Sequence, residues 1–502
     1  MFKRITVSLA ALLLIISFLS ALSACGGDAD GVTDNTAEAA EAQAVTETET
    51  ATEPPEYTPP ESDWGGAEIT VAAENYGKGN NWIALDYCEM FSEEENGDPL
   101  NDAIYKRMRA VEEELNLKIS LYGIDRSTDI AKELTKTVSA GEDIIDFGMA
   151  TTVYLPAILN KKLLIDLKTL PDIDFSHSWW DRNSIAELEI LGKLCAVTGD
   201  ISLYNDYAVI TYFFNKRLHE SLGLDNLYDL VRSGKWTLDE AMAMCEAAAA
   251  DLNGNGEPDI EDRFGMLFES NSLRYTAFSC GVRFTKIDSE GVPQLCVNQD
   301  LASRVADAFV PFMKDKRVNI LANNYTGYNN TFTDLMLPMF QDNRALFYNN
   351  QMLVALNLRN MEADFGIVPP PKLEEAQSGY HCPINDSWTT LVVVPVTNTI
   401  PEMTGQVIEA MGFYGQQLVK PAFIDTTVRS KALRDEDSSE MMELIFKSRI
   451  YDPATFFDFG GINGLFDTVL NRGEGSFASS YAKIETKVQK DIDKTVQELA
   501  EG

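Results

Sequence analysis

The spacing of apolar positions divides the chain into strand-length and helix-length pieces that alternate. Glu68 to Ala73 (EITVAA) and Lys118 to Tyr122 read as strands. Between them Leu100, Ile104, Met108, Val111 and Leu115 recur at helical spacing, which predicts an amphipathic helix within LNDAIYKRMRAVEEELNL. Strand, helix and strand over this distance imply a parallel βαβ unit. The alternation continues with a helix over 128–139, a strand from Ile144 to Met149, and helices over 153–160 and 184–191. Val209 to Phe214 is a β-branched and aromatic run of strand length. After it, Asn215-Lys216 turns the chain into a short helix expected to stop at Gly223. Ser233-Gly234 breaks a second helical piece, and Thr237 with Glu240 has capping-box spacing at the start of a third. Thr390 to Val394 reads as a strand, Val407 to Leu418 as a helix, and Phe477 to Ala500 as one long charged helix.

The first residues follow a different grammar. Lys3 and Arg4 precede an almost unbroken apolar run from Ile5 to Leu22, and then come Leu22-Ser23-Ala24-Cys25-Gly26-Gly27. This predicts an export signal over 1–24, with Cys25 as the point of lipid attachment; a plain signal peptide or a membrane helix with an incidental cysteine are the alternatives. From Asp28 to Glu61 the chain is acidic and rich in Thr, Ala and Pro, with no Lys or Arg. Residues 25–63 are therefore expected to form a disordered tether holding a domain off a membrane surface.

About 440 residues remain, more than one core usually serves, so two lobes are expected. A net charge of −37 argues against nucleic acid and against anionic lipid as partners. With three histidines, and no CxxC spacing among Cys88, Cys195, Cys245, Cys280, Cys296 and Cys382, a zinc site is not expected. Cys280 and Cys296 are the pair to test for a disulfide, and Cys245 falls on the apolar face of an Ala/Met-rich helix.

The words around Gly199–Cys245 are more particular than their periodicity. A strand ending Tyr212-Phe213-Phe214-Asn215-Lys216, then Gly223-Leu224, Leu227-Tyr228-Asp229-Leu230-Val231 and Ser233-Gly234-Lys235-Trp236-Thr237, resembles the extracellular solute-binding proteins of ABC importers, family 1. Those proteins are related in fold to maltose-binding protein. Gly97 to Ala103, Trp179-Trp180-Asp181, Asn343 to Tyr348, Asp364 to Lys372 and Lys431 to Asp437 extend the resemblance over nearly all of 66–460. It implies an α/β, two-lobed periplasmic-binding-protein-like fold of type II, each lobe a mostly parallel sheet flanked by helices, with a helical C-terminal region. Lobe 1 would comprise 66–203 plus about 388–450, and lobe 2 would comprise 207–385 plus about 455–502. The resemblance also implies a hinge near Asp200–Asp206, a strand closing the second sheet at Asn343–Tyr348, an ABC permease as partner, and a monomer on the extracellular membrane face.

Ligands of open α/β sheets sit beside the carboxyl ends of strands. The loop Asn75–Trp82 follows the first strand, so Asn81 and Trp82 are candidates for a sugar: an indole for the C–H face of the ring and an amide for its hydroxyls. Trp82 packing onto its own lobe is the alternative. Asp200, Tyr204 and Asn205 are candidates through the implied hinge. Trp179 and Trp180 are weaker ones, since at least one of two adjacent indoles belongs in a core. Asn385-Asp386-Ser387-Trp388 precedes a strand, and Trp388 either reaches the cleft or plugs the hinge.

Asp251, Asn253, Asn255, Glu257 (through its carbonyl), Asp259 and Asp262 stand at loop positions one, three, five, seven, nine and twelve, with Gly256 at six. That is EF-hand-type calcium spacing, weakened by Asp262 in place of Glu and by Pro258; a solvated Asn/Gly turn is the alternative. No cofactor is expected beyond this possible structural calcium. GxSxG, HExxH, Walker A and GxGxxG are all missing from the sequence, so a binder is expected rather than an enzyme. A secreted glycosidase using two carboxylates is the main rival, and a sensor or adhesin without transport is a third reading.

Overall fold

A computed structural model describes residues 56–74, 88–125, 130–151, 155–159, 161–359, 361–428 and 436–501. Cys25, most of the expected tether, and Asn81 and Trp82 lie outside the described residues. The described strands are β1 (Ala67–Glu74), β2 (Leu117–Ile124), β3 (Phe147–Thr151), β4 (Ile210–Asn215), β5 (Phe264–Phe268), β6 (Thr285–Ile287) and β7 (Pro293–Leu295). They continue with β8 (Asn319–Leu321), β9 (Ala345–Gln351), β10 (Phe365–Val368), β11 (Cys382–Pro383), β12 (Thr390–Val393) and β13 (Arg449–Ile450).

Two sheets carry the fold. The first runs β12-β3-β1-β2 and the second β10-β4-β9-β5-β8. In the first, β1 pairs parallel with β2 and β3, while β12 joins antiparallel to β3. The connection from β1 to β2 is the helix Pro99–Leu115, started by Asp98, whose carboxylate accepts from the N–H groups of Leu100 and Asn101. Leu100, Ile104, Met108, Val111 and Leu115, the stripe visible in the sequence, are all fully buried. In the second sheet β9 is parallel to β5, and β5 to β8, whereas β4 is antiparallel to both its neighbours. Every residue of β4 is buried because the strand lies inside the sheet with both faces covered. Asn215 caps the following helix, Lys216–Leu222, and Gly223 ends it in the left-handed region at φ 65°. Thr237 caps Leu238–Ala248 by accepting from the Glu240 N–H.

Four details differ from the periodicity. The third strand begins at Phe147, not Ile144, because Asp146 turns its carboxylate onto the Thr70 N–H and leaves Ile144 outside at 44 % exposure. The segment expected to close the second sheet, β9, is its central strand. The C-terminal helix is two helices, Phe477–Tyr481 and Glu485–Ala500. The second is pinned to a left-handed turn, where the Gly460 N–H donates to Asp491 and Lys487 donates to the Gly460 carbonyl. Finally, the chain is seated on the first lobe by Tyr57, inside the stretch expected to be tether. Its ring stacks on Phe413 at 4.3 Å and its hydroxyl donates to Glu114.

Three segments join the sheets. Val197 bridges to Val392 beside the first sheet, and the chain then runs through the short helix Leu203–Tyr207 into β4. The return path goes from Ile384, which bridges to Val209, through 385–389 into β12. The third segment is β13, paired with β11. Glu89 holds the first two together. Its carboxylate is fully buried and accepts from Thr390 Oγ1 (2.7 Å), Ser202 Oγ (3.1 Å) and the Tyr204 N–H (3.4 Å). Arg107, on the helix Pro99–Leu115, donates to the carbonyls of Ile201 and Glu89.

Burial pushes the Glu89 carboxyl up to about 7, against the pull of those hydrogen bonds. A carboxyl raised in the folded state favours folding fully below its unfolded value near 4.5, and loses that contribution as pH rises through 7. The stability difference between the natural protein and Glu89→Gln, measured by urea unfolding, is therefore expected to shift against the natural protein between pH 5 and pH 8. A pH-independent difference would show that Glu89 carries no such charge.

Candidate ligand-binding cleft

The second sheet delivers polar side chains to the carboxyl ends of its parallel strands. β5 is entirely apolar and buried (FGMLF), and the residue after it is Glu269. The helix Ser272–Ser279 then supplies Ser272 and Tyr275. Parallel to β5, β9 ends in Asn349, Asn350 and Gln351. These groups, with Ile210 and Phe332, form one wall of a cleft of about 250 Å³. The other wall comes from the returning segment, through Asn385, Ser387 and the half-buried Trp388. Asn385 is held on three sides: its N–H donates to the Ala208 carbonyl (2.9 Å), its amide donates to Gln351 Oε1 (3.2 Å), and its Oδ1 accepts from the Ser387 N–H (3.0 Å). Asp386, between them, is locked in a buried two-point pair with Arg274 at 3.1 and 2.9 Å and accepts from Asn463. Trp388 is thus presented on a backbone fixed to both lobes.

Three polar groups in the cleft have no hydrogen-bond partner: Asn349 Oδ1, the Glu269 carboxylate and the buried Tyr275 hydroxyl. The Oδ1 of Asn349 is buried and unbonded, on a residue only 4 % exposed. The carboxylate of Glu269 has neither a hydrogen bond nor an ion pair, and burial alone pushes its carboxyl up. An unpaired acceptor as deep as Asn349 Oδ1 is costly unless something donates to it, while the half-buried Glu269 still meets solvent.

A second, larger cavity of about 600 Å³ lies elsewhere, and three of the sequence candidates line it: Trp179, Trp180 and Asp200. Most of its ionic groups are already paired, Arg182 donating instead to the Ser176 carbonyl. Asp200 is paired with Lys420 at 2.5 Å and accepts from Gln416 at 3.1 Å; Arg449 bridges Asp181 and Asp206. Trp180 donates to Glu409 at 3.1 Å, and Trp179 stacks on His177 at 4.1 Å, so both indoles are fixed in the core of the first lobe. Tyr204 and Asn205 are buried between the lobes. Tyr204 packs edge-on against Tyr207, and Asn205 accepts from the Tyr451 hydroxyl at 2.6 Å. The short helix Leu203–Tyr207 turns both inward, away from the cleft lining, and Asn205 bonds to the third connecting segment. Of the described candidates, Trp388 alone borders the cleft.

The cleft's other groups were missed in the sequence, although a signal was there. Glu269 and Asn349-Asn350-Gln351 each stand directly at the end of an apolar strand pattern. In the loop 251–262 the acidic and amide oxygens fold back on the loop itself. Asp251 accepts from the N–H groups of Gly254 and Gly256, Asp259 from the amides of Asn253 and Asn255, and Asp262 from the N–H groups of Leu252 and Asp259. Among the described residues no three His, Cys, Asp or Glu side chains gather as a metal site. The six described cysteines are free thiols, so Cys280 and Cys296 are unbonded; Cys280 is buried at the end of its helix and Cys296, just after β7, is half-buried.

No family model matches this sequence, and a search of curated proteins returned no match. Solved structures do share its fold. An ABC substrate-binding protein from Listeria monocytogenes in complex with cycloalternan aligns with a TM-score of 0.53 at 12% identity, over 87% of this chain and 99% of that one. An extracellular solute-binding protein from Staphylococcus aureus in complex with maltose gives 0.55 at 11% identity, over 85% and 98%. UgpB from Mycobacterium tuberculosis in complex with glycerophosphocholine gives 0.53 at 13%, over 79% and 96%. The fold is the two-lobed solute-binding type of maltose-binding protein, with a helical C-terminal region. Among the described residues no helix is long and apolar enough to cross a membrane.

Lys420→Met removes the cation from a carboxylate that is 5 % exposed, and is expected to lower unfolding stability by about 3 kcal/mol in denaturant titration.

Proposed function

We propose that this protein is a binding protein that captures a small polar solute in the cleft between its lobes and hands it to an ABC importer. The observation that carries the reading is the pair of unpartnered acceptors, Glu269 and Asn349, beside a half-buried indole at the carboxyl ends of parallel strands. An amide-rich wall with an aromatic platform suits a polyhydroxyl solute of the mono- or oligosaccharide class: hydroxyls donate to the acceptors while Trp388 covers the C–H face. The solved structures that share the fold are binding proteins, which supports carriage over hydrolysis. A two-carboxylate glycosidase needs its acids as a pair, and the described lining of the cleft holds one carboxylate.

In this reading the three connecting segments act as the hinge, and the lobes close on the solute. Lobe 1 comprises 66–203 plus about 388–450, and lobe 2 comprises 207–385 plus about 455–502. Asn81 and Trp82 belong to the loop after β1 and complete the site from the first lobe. The protein works as a monomer on the extracellular face of the membrane, held by lipidated Cys25, with permease subunits as its macromolecular partners. The loop 251–262 binds calcium weakly, at roughly 10⁻⁴–10⁻³ M, a reading supported by its ligand spacing.

Thermal shift against a sugar panel tests the solute, and calorimetry measures its affinity. Trp388→Ala is expected to weaken binding by about tenfold or more, with the sugar recovered chemically unchanged. Release of reducing ends would overturn the reading. For the loop, millimolar calcium is expected to raise the melting temperature and Asp251→Ala to abolish that rise; a melt insensitive to chelator would reject it.

A further inference from the structure

Of the three unpartnered polar groups in the cleft, two can only accept, and one of those is a charge; the third, the Tyr275 hydroxyl, can donate or accept. Asn349 Oδ1 is buried and lacks a donor, and the half-buried Glu269 carboxylate has no protein partner and is open to one from a ligand. The nearest basic residue in sequence, Arg274, is committed to Asp386 and lends nothing to Glu269. Among the described residues lining the cleft, Glu269 is the only charged one. Tyr275, Phe332 and Trp388 bring three aromatic rings to the same cleft, and ring faces attract cations as well as C–H groups. The whole chain carries a net charge of −37, so the field at a cleft with one carboxylate and no cation in its described lining favours positive solutes and repels anions. A neutral hydroxyl can hydrogen-bond to Glu269 but leaves its charge uncompensated. An ammonium supplies up to three donors and a compensating charge together.

We propose that the solute carries a protonated amino group that seats on Glu269, with its hydroxyls on the amides of β9, so that the cleft selects amino sugars over neutral and anionic ones. This rests on the solute-binding reading above and narrows it.

The test uses glucose, glucosamine and N-acetylglucosamine, each as the monomer and as the β-1,4-linked trimer. These differ only in the group at one carbon: hydroxyl, ammonium or acetamide. Binding is followed at pH 7 by thermal shift and calorimetry on the full chain. The glucosamine compounds are expected to bind at least about tenfold more tightly than their neutral partners. That preference is expected to vanish in Glu269→Gln and to persist in Glu269→Asp, which keeps the charge. The melting temperature of each variant without sugar shows that it folds. Equal or tighter binding of the neutral compounds, or an ammonium preference that survives Glu269→Gln, would overturn the amine assignment and leave the solute-binding reading standing. Failure of all six compounds to bind would count against both.

Discussion

The buried carboxylate of Glu89 is the constraint on which the arrangement turns. It sits on the chain that leads into the first long helix, yet its acceptors are filled by Ser202 and the Tyr204 N–H from the outgoing connection and by Thr390 from the returning one. Ser202 and Thr390 also bond to each other at 2.7 Å. Arg107 adds the backbone of Ile201 to the same knot. Two segments far apart in sequence are thereby held side by side where they leave the first lobe. The position of everything beyond them, Trp388 included, follows from that junction. A polar knot of this kind is costly if any member is left unpaired, so it defines one geometry rather than a range.

The two cavities differ in how their charges are answered. Around the larger one, Asp200 meets Lys420, and Arg449 meets Asp181 and Asp206, so the fold satisfies its own ions and the cavity's aromatic residues serve packing. In the smaller cleft the fold leaves Asn349 Oδ1 and the Glu269 carboxylate unanswered. The larger cavity also keeps two unpartnered donors, Trp179 Nε1 and Arg449 Nε, so what sets the smaller cleft apart is its unpaired carboxylate beside parallel strand ends.

Much of the fold was legible because its signals are local. The stripe from Leu100 to Leu115, the run from Val209 to Phe214, and the caps at Asn215, Gly223 and Thr237 each act within a few residues, and each appears where periodicity puts it. What was not legible depends on partners distant in sequence. Ile144 reads as a strand residue until Asp146 finds Thr70, and the helix near the end reads as continuous until Gly460 meets Asp491. The placement of the candidate residues followed the same rule. Trp388, read as an aromatic before a strand, lines the cleft, whereas Asn205 is held inward by Tyr451 and Asp181 and Tyr204 packs on Tyr207. Glu269 and Asn349 are ordinary residues in the sequence. Only the parallel pairing of β5 with β9 brings them to one rim.

Closure of two rigid lobes about three short connections is most directly tested by a distance. Nitroxide labels at Lys136, exposed on the helix Ile130–Ala140 beside the first sheet, and at Arg304, exposed on the helix Gln299–Lys314 beside the second, report on the lobes without touching the cleft. Pulsed electron paramagnetic resonance with and without the sugar that gives the largest thermal shift is predicted to show two narrow distributions, displaced from one another by several ångströms. A single distribution unmoved by the sugar, or one that broadens as the sugar is added, would contradict closure.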